Sequence, residues 1–253
     1  KKLLMTQDVK SQGVAVITGA AGSMGKATAR ALFDAGWKNL LLCDLYLEGL
    51  EVVASALRAE GAQISIYAGD IADTQWPSGV IASLNGSQIT ALVHMAGLGP
   101  NQGDPKRVID VNLGATIRLV EAVREHMAHG SAAVLIASNS AYFPKKPEAA
   151  ALVGGPITTE QFAELYEMAA TPQEAYPISK LGVMALVKRE AKSFGLKGVR
   201  LVSLSPGATD TNMFNFERAH SSASVIDQML DMSAIGRIGK PEEIAAVAAF
   251  LCS

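Results

Sequence analysis

Short apolar runs recur along the chain and alternate with stretches whose apolar residues return every three or four positions. Residues 14–18 (VAVIT), 39–44 (NLLLCD), 64–70 (ISIYAGD), 91–97 (ALVHMAG), 132–138 (AAVLIAS) and 200–207 (RLVSLSPG) make up the first group. Their apolar residues are continuous rather than alternating, which predicts strands buried on both faces. KATARALFDAG, closed by Gly36, and LEGLEVVASALRAEG, closed by Gly61, read as amphipathic helices. Strands alternating with helices predict parallel βαβ units with right-handed crossovers. The expected fold is therefore a three-layer, doubly wound, Rossmann-like α/β sheet in a single domain over residues 1–253.

The rhythm breaks once, between Ser138 and Tyr176. Five of the ten prolines, Pro144, Pro147, Pro156, Pro172 and Pro177, bound or fill this stretch. It holds one helical piece, TTEQFAELYEMAA, with a cap at Thr158 or Thr159. Long irregular segments in compact domains are often functional. Residues 139–175 are therefore expected to be an insertion over the sheet's ligand edge that covers a substrate site, the alternative being a tolerated surface loop. The chain shows no internal repeat or low-complexity segment.

Composition narrows the function classes. Hydrophobic residues at 49 % and charged residues at 18 % allow one large core and exclude a disordered chain. A formal net charge of -2 offers no general attraction to nucleic acid or an anionic membrane. No apolar run reaches the roughly 20 residues of a membrane span. The opening KKLLMTQDVK has too short an apolar stretch for a signal peptide, so a cytoplasmic location is expected. Cys43 and Cys252 lie too far apart to suggest a disulfide framework or a metal site, and Cys43 reads as a buried strand residue.

Candidate chemistry begins where the first strand meets the first helix, in TGAAGSMGKA. Gly19, Gly22 and Gly25, with Ser23 and Met24 between them, allow backbone N–H groups at a helix N-terminus to approach a pyrophosphate; an ordinary glycine-rich turn is the plainer reading. Asp44 ends the second strand about 20 residues later, where a carboxylate can accept both ribose hydroxyls of an adenosine and repel a 2′-phosphate. This predicts NAD rather than NADP, against the alternative of a helix N-cap. Asp70 and Ile71 end the third strand, where an adenine ring could rest. Further on, YPISK places Tyr176 and Lys180 four residues apart at the start of a helix, on one face. A phenol of pKa about 10 is a poor base at neutral pH, but a nearby ammonium and a positive nicotinamide both favour the phenolate. Ser138, ending the fifth strand, can hydrogen-bond a substrate oxygen. Leu98, Asn139, Tyr142, Phe143 and Met213 adjoin these segments and either line an apolar pocket or pack the core and loops.

Together TGAAGSMG, Asp70, HMAG (94–97), Asn112, Ser138, YPISK, SPGATDT (205–211) and GRIGKPEEIAAVAAFL resemble the classical short-chain dehydrogenase/reductase family over nearly the whole chain. The resemblance implies a tetrad of Asn112, Ser138, Tyr176 and Lys180. Tyr176 would be the general acid/base, and Ser138 would orient and polarise the carbonyl. Lys180 would hold the nicotinamide ribose and lower the tyrosine pKa, and Asn112 would support a water relaying protons to Lys180. Cofactor contacts would fall on Ala96, Gly97, Pro206, Gly207, Thr209 and Thr211, the two threonines being alternatively helix caps. The reaction implied is metal-free hydride transfer between NAD(H) and a secondary alcohol or ketone, in a homodimer or homotetramer built from helices that include 104–128 and 176–194.

Three departures qualify the match. The glycine pattern is TGxxGxxG, with Ser23 in the family's middle glycine position, and His94 replaces a common asparagine. Both features resemble extended short-chain dehydrogenases, so a sugar-nucleotide epimerase or dehydrogenase is the rival reading, with a non-catalytic NAD sensor as a third. His94 is read as a buried, hydrogen-bonded strand residue. The long insert, AGLGP and PGATDT are similar to the bacterial 3α-hydroxysteroid dehydrogenase/carbonyl reductase subgroup, which implies a bulky hydrophobic substrate. Finally, the sequence stops at FLCS, where family members continue into a seventh strand. Either residues are absent or the sheet lacks that edge.

Overall fold

A computed structural model describes residues 9–143, 146, 148–220, 227, 228, 230, 231 and 233–253. The first eight residues, on which most of the signal-peptide reading rests, and Pro144 and Pro147 lie outside the described residues.

Among the described residues, β1 (Gly13–Thr18), β2 (Asn39–Asp44), β3 (Gln63–Ala68), β4 (Gln88–His94), β5 (Met127–Ile136) and β6 (Arg200–Leu204) form one parallel sheet in the order β3-β2-β1-β4-β5-β6. This is the doubly wound α/β sheet expected from the apolar runs. The order reverses between β1 and β4, which opens a crevice at the strands' C-terminal ends. Most runs leave the ladder earlier than their apolar character suggests. Pairing stops at Ala68, His94, Ile136 and Leu204. Asp70, Ala96, Gly97, Ser138, Pro206 and Gly207 therefore sit in loops at that crevice, free of strand pairing; Gly207 is exposed and the others are partly or fully buried.

The sheet separates two apolar layers. On one face α1 (Ser23–Asp34), α2 (Leu47–Ala59) and the last described helix, labelled α10 (Pro241–Cys252), bury Leu32, Phe33, Leu50, Leu57 and Ala248 against β-strand residues such as Ile17 and Leu42. On the other, α3 (Trp76–Ser83), α5 (Ala115–Val123) and α8 (Pro172–Gly195) contribute Trp76, Val80, Leu119, Val183 and Leu186. Cys43 and Cys252 are free and buried, as expected of small apolar core residues.

The insert builds a core of its own. Its helices α6 (Ala149–Gly154) and α7 (Thr159–Met168) build a third core with α4 (Pro105–Ile109) and α8, in which Val108, Ile109, Val153, Leu165 and Ile178 are buried. Thr158, rather than Thr159, caps α7 in a reciprocal capping box with Gln161. The Tyr166 hydroxyl donates to Asp110, tying α7 to the segment after α4. The insert's helices thus pack on α4 and α8, and partly buried Leu98 and Tyr176 lie against the same core. Residues 139–143 directly follow Ser138, and near the insert's other end Gln173 Nε2 donates to Asn101 Oδ1 at 2.5 Å.

Candidate active site

The turn from β1 into α1 is shaped by backbone contacts. Gly19 has a left-handed φ of +66°, and a Cβ there would lie 2.7 Å from the Ala96 nitrogen; a Cβ on Gly25 would lie 2.0 Å from the Gly19 oxygen. Side chains at either position would fill the cradle. The first intrahelical bond runs from Lys26 N–H to the Gly22 carbonyl, and no side chain caps the helix. The N–H groups of Ser23, Met24 and Gly25 therefore remain available at the positive end of a twelve-residue helix, the donor set a pyrophosphate requires. The Ser23 hydroxyl accepts from Asn212 N–H at 3.2 Å. That contact links the loop to α9 (Asn212–His220).

Asp44 braces this loop: its carboxylate accepts from Ala21 N–H at 3.0 Å and from Tyr46 N–H at 3.3 Å. Asp70 accepts from Ala72 N–H at 2.9 Å and pairs with Arg107 at 2.6 Å. Burial works against its ionisation, but the Ala72 N–H and the Arg107 guanidinium outweigh it and hold the carboxyl below its usual range. Ile71 is buried beside it. Nothing local in the sequence marks Arg107, since the pairing joins residues 37 positions apart.

Ser138, Tyr176 and Lys180 converge from β5 and α8. The Ser138 oxygen accepts from both the N–H (3.2 Å) and the hydroxyl (3.0 Å) of Ser140, and its own hydroxyl donates to Asn139 Oδ1 at a long 3.5 Å. Burial raises the Tyr176 phenol above its ordinary value; a hydrogen bond with Ser138 lowers it, and the Glu217 charge adds to the rise. The Lys180 ammonium lies 5.8 Å from the Tyr176 ring centroid and donates to the Ile136 carbonyl at 3.0 Å. Burial pushes Lys180 itself down to about 8. Tyr176 does not open its helix: α8 starts at Pro172, capped by Thr171.

Asn112 lies in a π-helical turn, Asp110–Gly114, between α4 and α5. Its amide oxygen accepts from Leu98 N–H at 2.7 Å, and its amide nitrogen donates to the Leu98 carbonyl (3.0 Å) and to Ser179 Oγ (3.1 Å). Ser179 in turn donates to the Tyr176 carbonyl at 2.7 Å. Asn112 thereby joins the loop after β4 to the helix carrying Tyr176 and Lys180, and Gly97 lies against both Asn112 Oδ1 and Lys180 Nζ. Ser179 stands inside YPISK and could have been singled out there. The π turn has no local sequence signal. His94 is buried and hydrogen-bonded through both ring nitrogens, as its strand position suggested.

The remaining candidates divide. Asn139 N–H donates to the Pro206 carbonyl at 2.9 Å, which brings the loops after β5 and β6 together beside Gly207. Leu98 packs partly buried between two cores, and Met213 on α9 lies against Gly99. Tyr142 and Phe143 are largely exposed. Thr211 accepts from Phe214 N–H at 3.0 Å, the capping geometry weighed for it, and Thr209 donates to the Gly207 carbonyl at 3.0 Å. Glu217 was not anticipated. It receives Asn101 N–H at 3.0 Å and the Asn101 amide, and with Gln173 it spans the crevice mouth. A separate cavity of about 490 Å³, lined by Asn39, Gln63 and Ser83 among others, holds none of these residues. Among the described residues no cluster suited to a metal ion occurs, and no helix is long and apolar enough to cross a membrane.

Comparison with known proteins is extensive. Residues 13–150 match the family model described as short chain dehydrogenase, and residues 154–253 match one described as Enoyl-(Acyl carrier protein) reductase. The 3-alpha-hydroxysteroid dehydrogenase/carbonyl reductase of Comamonas testosteroni is 30 % identical, covering 95 % of this chain and 89 % of its own. Cyclohexanol dehydrogenase of an Acinetobacter species is 28 % identical, covering 95 % and 87 %. The crystal structure of a Pseudomonas 3-alpha-hydroxysteroid dehydrogenase complexed with NADH superposes with a TM-score of 0.75 at 25 % identity, covering 95 % and 89 %.

Proposed function

Because the chain belongs to the short-chain dehydrogenase family, whose members are nicotinamide-dependent oxidoreductases of alcohols and ketones, we propose that it interconverts a bulky, largely apolar secondary alcohol and its ketone with NAD(H). The observation that carries this reading is the convergence of Ser138, Tyr176 and Lys180 beside the glycine cradle. Asp44 at the cradle's edge, followed by Leu45 rather than a cation, supports NAD over NADP. Leu98, Met213, Tyr142 and Phe143 support an alicyclic, aromatic or steroid-like substrate, as do the substrates named for the relatives.

The cradle residues, with Asp44, Asp70, Ala96, Gly97, Pro206 and Gly207, would hold the dinucleotide, which when bound supplies the hydride acceptor or donor. The chain's own residues handle the proton. In ketone reduction Tyr176, protonated at neutral pH, gives its hydroxyl proton to the carbonyl oxygen; in alcohol oxidation the phenolate takes it back. Ser138, fed by Ser140, donates to the oxygen where negative charge develops. Lys180 supplies the buried positive charge opposite the phenol, and Asn112 keeps the loop after β4 in register with it. Buried, unpaired cysteines support a reducing, cytoplasmic setting.

The test is a panel of cyclohexanols, hydroxysteroids, aryl alcohols and nucleotide sugars assayed by NADH absorbance, with NAD and NADP titrated separately. Oxidation of alicyclic or steroid alcohols with tighter NAD binding is expected. Turnover confined to nucleotide sugars would contradict the substrate class, and tighter NADP binding would remove the role given to Asp44.

A further inference from the structure

Three fully buried polar side chains outside the proposed catalytic set form one continuous hydrogen-bond chain that ends on the Asn112 backbone. Thr18 ends β1, His94 ends β4 beside it, and Thr116 lies one turn after Asn112. The Thr116 hydroxyl donates its single proton to the Asn112 carbonyl at 2.7 Å. Its oxygen can then only accept from His94 Nε2, at 2.8 Å, so Nε2 carries hydrogen. Burial, with the Lys180 charge nearby, holds His94 down to about 3, so the ring is neutral and Nδ1 is bare. Nδ1 accepts from the Thr18 hydroxyl at 2.7 Å, and Thr18 Oγ1 accepts from Ala96 N–H at 3.3 Å. Each donor is used once, and the direction runs unbroken from Ala96 to Asn112.

We propose that His94 is a positioning residue for the reaction: through Thr116 it fixes the carbonyl of Asn112 in the π turn, and through Thr18 it fixes Ala96 in the loop that meets the cofactor. A π turn widens the backbone and is found mostly as a single turn, often at functional sites. The threonine's bond back to the carbonyl four residues earlier holds that turn in shape. The Asn112 amide is then kept between Leu98 and Ser179, and so in register with Tyr176 and Lys180. Strand β4 thus does more than support the sheet: its last side chain joins the cofactor loop to the helix bearing Asn112.

The proposal rests on the functional reading above, and its test separates the two. Thr116→Val removes only the hydroxyl and is expected to lower kcat about tenfold while the ketone KM and the NADH Kd, read by fluorescence, stay within about twofold. Thr116→Ser is expected to restore kcat. A Thr116→Val protein that melts earlier but keeps its kcat would reduce the network to a structural role and overturn the proposal. The second measurement needs no variant and no substrate. Nitrogen NMR of the wild-type protein at pH 7 is expected to show His94 as the neutral Nε2–H tautomer. An Nδ1–H tautomer or an imidazolium would overturn the network even if the enzyme oxidises alcohols as proposed, whereas a wild-type protein without turnover on any alcohol or ketone would refute the functional reading.

Discussion

Burying Lys180 carries a cost in stability. It is buried and its pKa is pushed from 10.5 to about 8 by that burial. A shift of this size corresponds to roughly 3 kcal/mol between the two protonation states. Below pH 8 the folded and unfolded chains both hold the proton, and the burial penalty is fully present. Between pH 8 and 10.5 the unfolded chain retains a proton that the folded chain has released, so stability rises with pH across that window. Lys180→Met is expected to remove this rise while abolishing most turnover, as read by urea unfolding at several pH values. An identical rise in both proteins would show that Lys180 is not the group responsible. At this scale residue type and spacing were enough to single out Tyr176, Lys180 and Asp44 as candidates. It was silent on Arg107, Glu217 and Ser140, whose roles depend on partners that only the folded chain brings close.

Among the elements, the apolar runs placed every strand of the described sheet, and the Thr158 cap of α7 was readable because capping is local. Two features escaped. The π turn at Asn112 reads as ordinary helix, since the extra residue is absorbed by tertiary contacts with Leu98 and Ser179. The partners of the insert's helices also escaped, because a helix's apolar stripe does not say which neighbour it meets. The third core makes a distinct prediction. Leu165 is fully buried within it. Leu165→Ala should cost about 2–5 kcal/mol of stability by urea unfolding and leave KM near its wild-type value. A large rise in KM with little loss of stability would instead mean that α7 covers the substrate.

For the whole molecule, the sheet order puts the strand reversal, the glycine cradle and the loops carrying Ser138 and Gly97 on one edge. This much followed from alternating strands and helices, since right-handed crossovers leave few topologies open. The expected homodimer or homotetramer was to use the helices that now carry the insert on one flank, so an assembly through them must accommodate α6 and α7. Tyr176 is proposed to move the proton in an alcohol–ketone interconversion. Comparing steady-state kcat of Tyr176→Phe with wild type on the best alcohol, with the dinucleotide Kd measured in parallel, tests it most directly. A loss of about a hundredfold or more with dinucleotide binding retained is expected; wild-type turnover in Tyr176→Phe would contradict proton transfer by this residue.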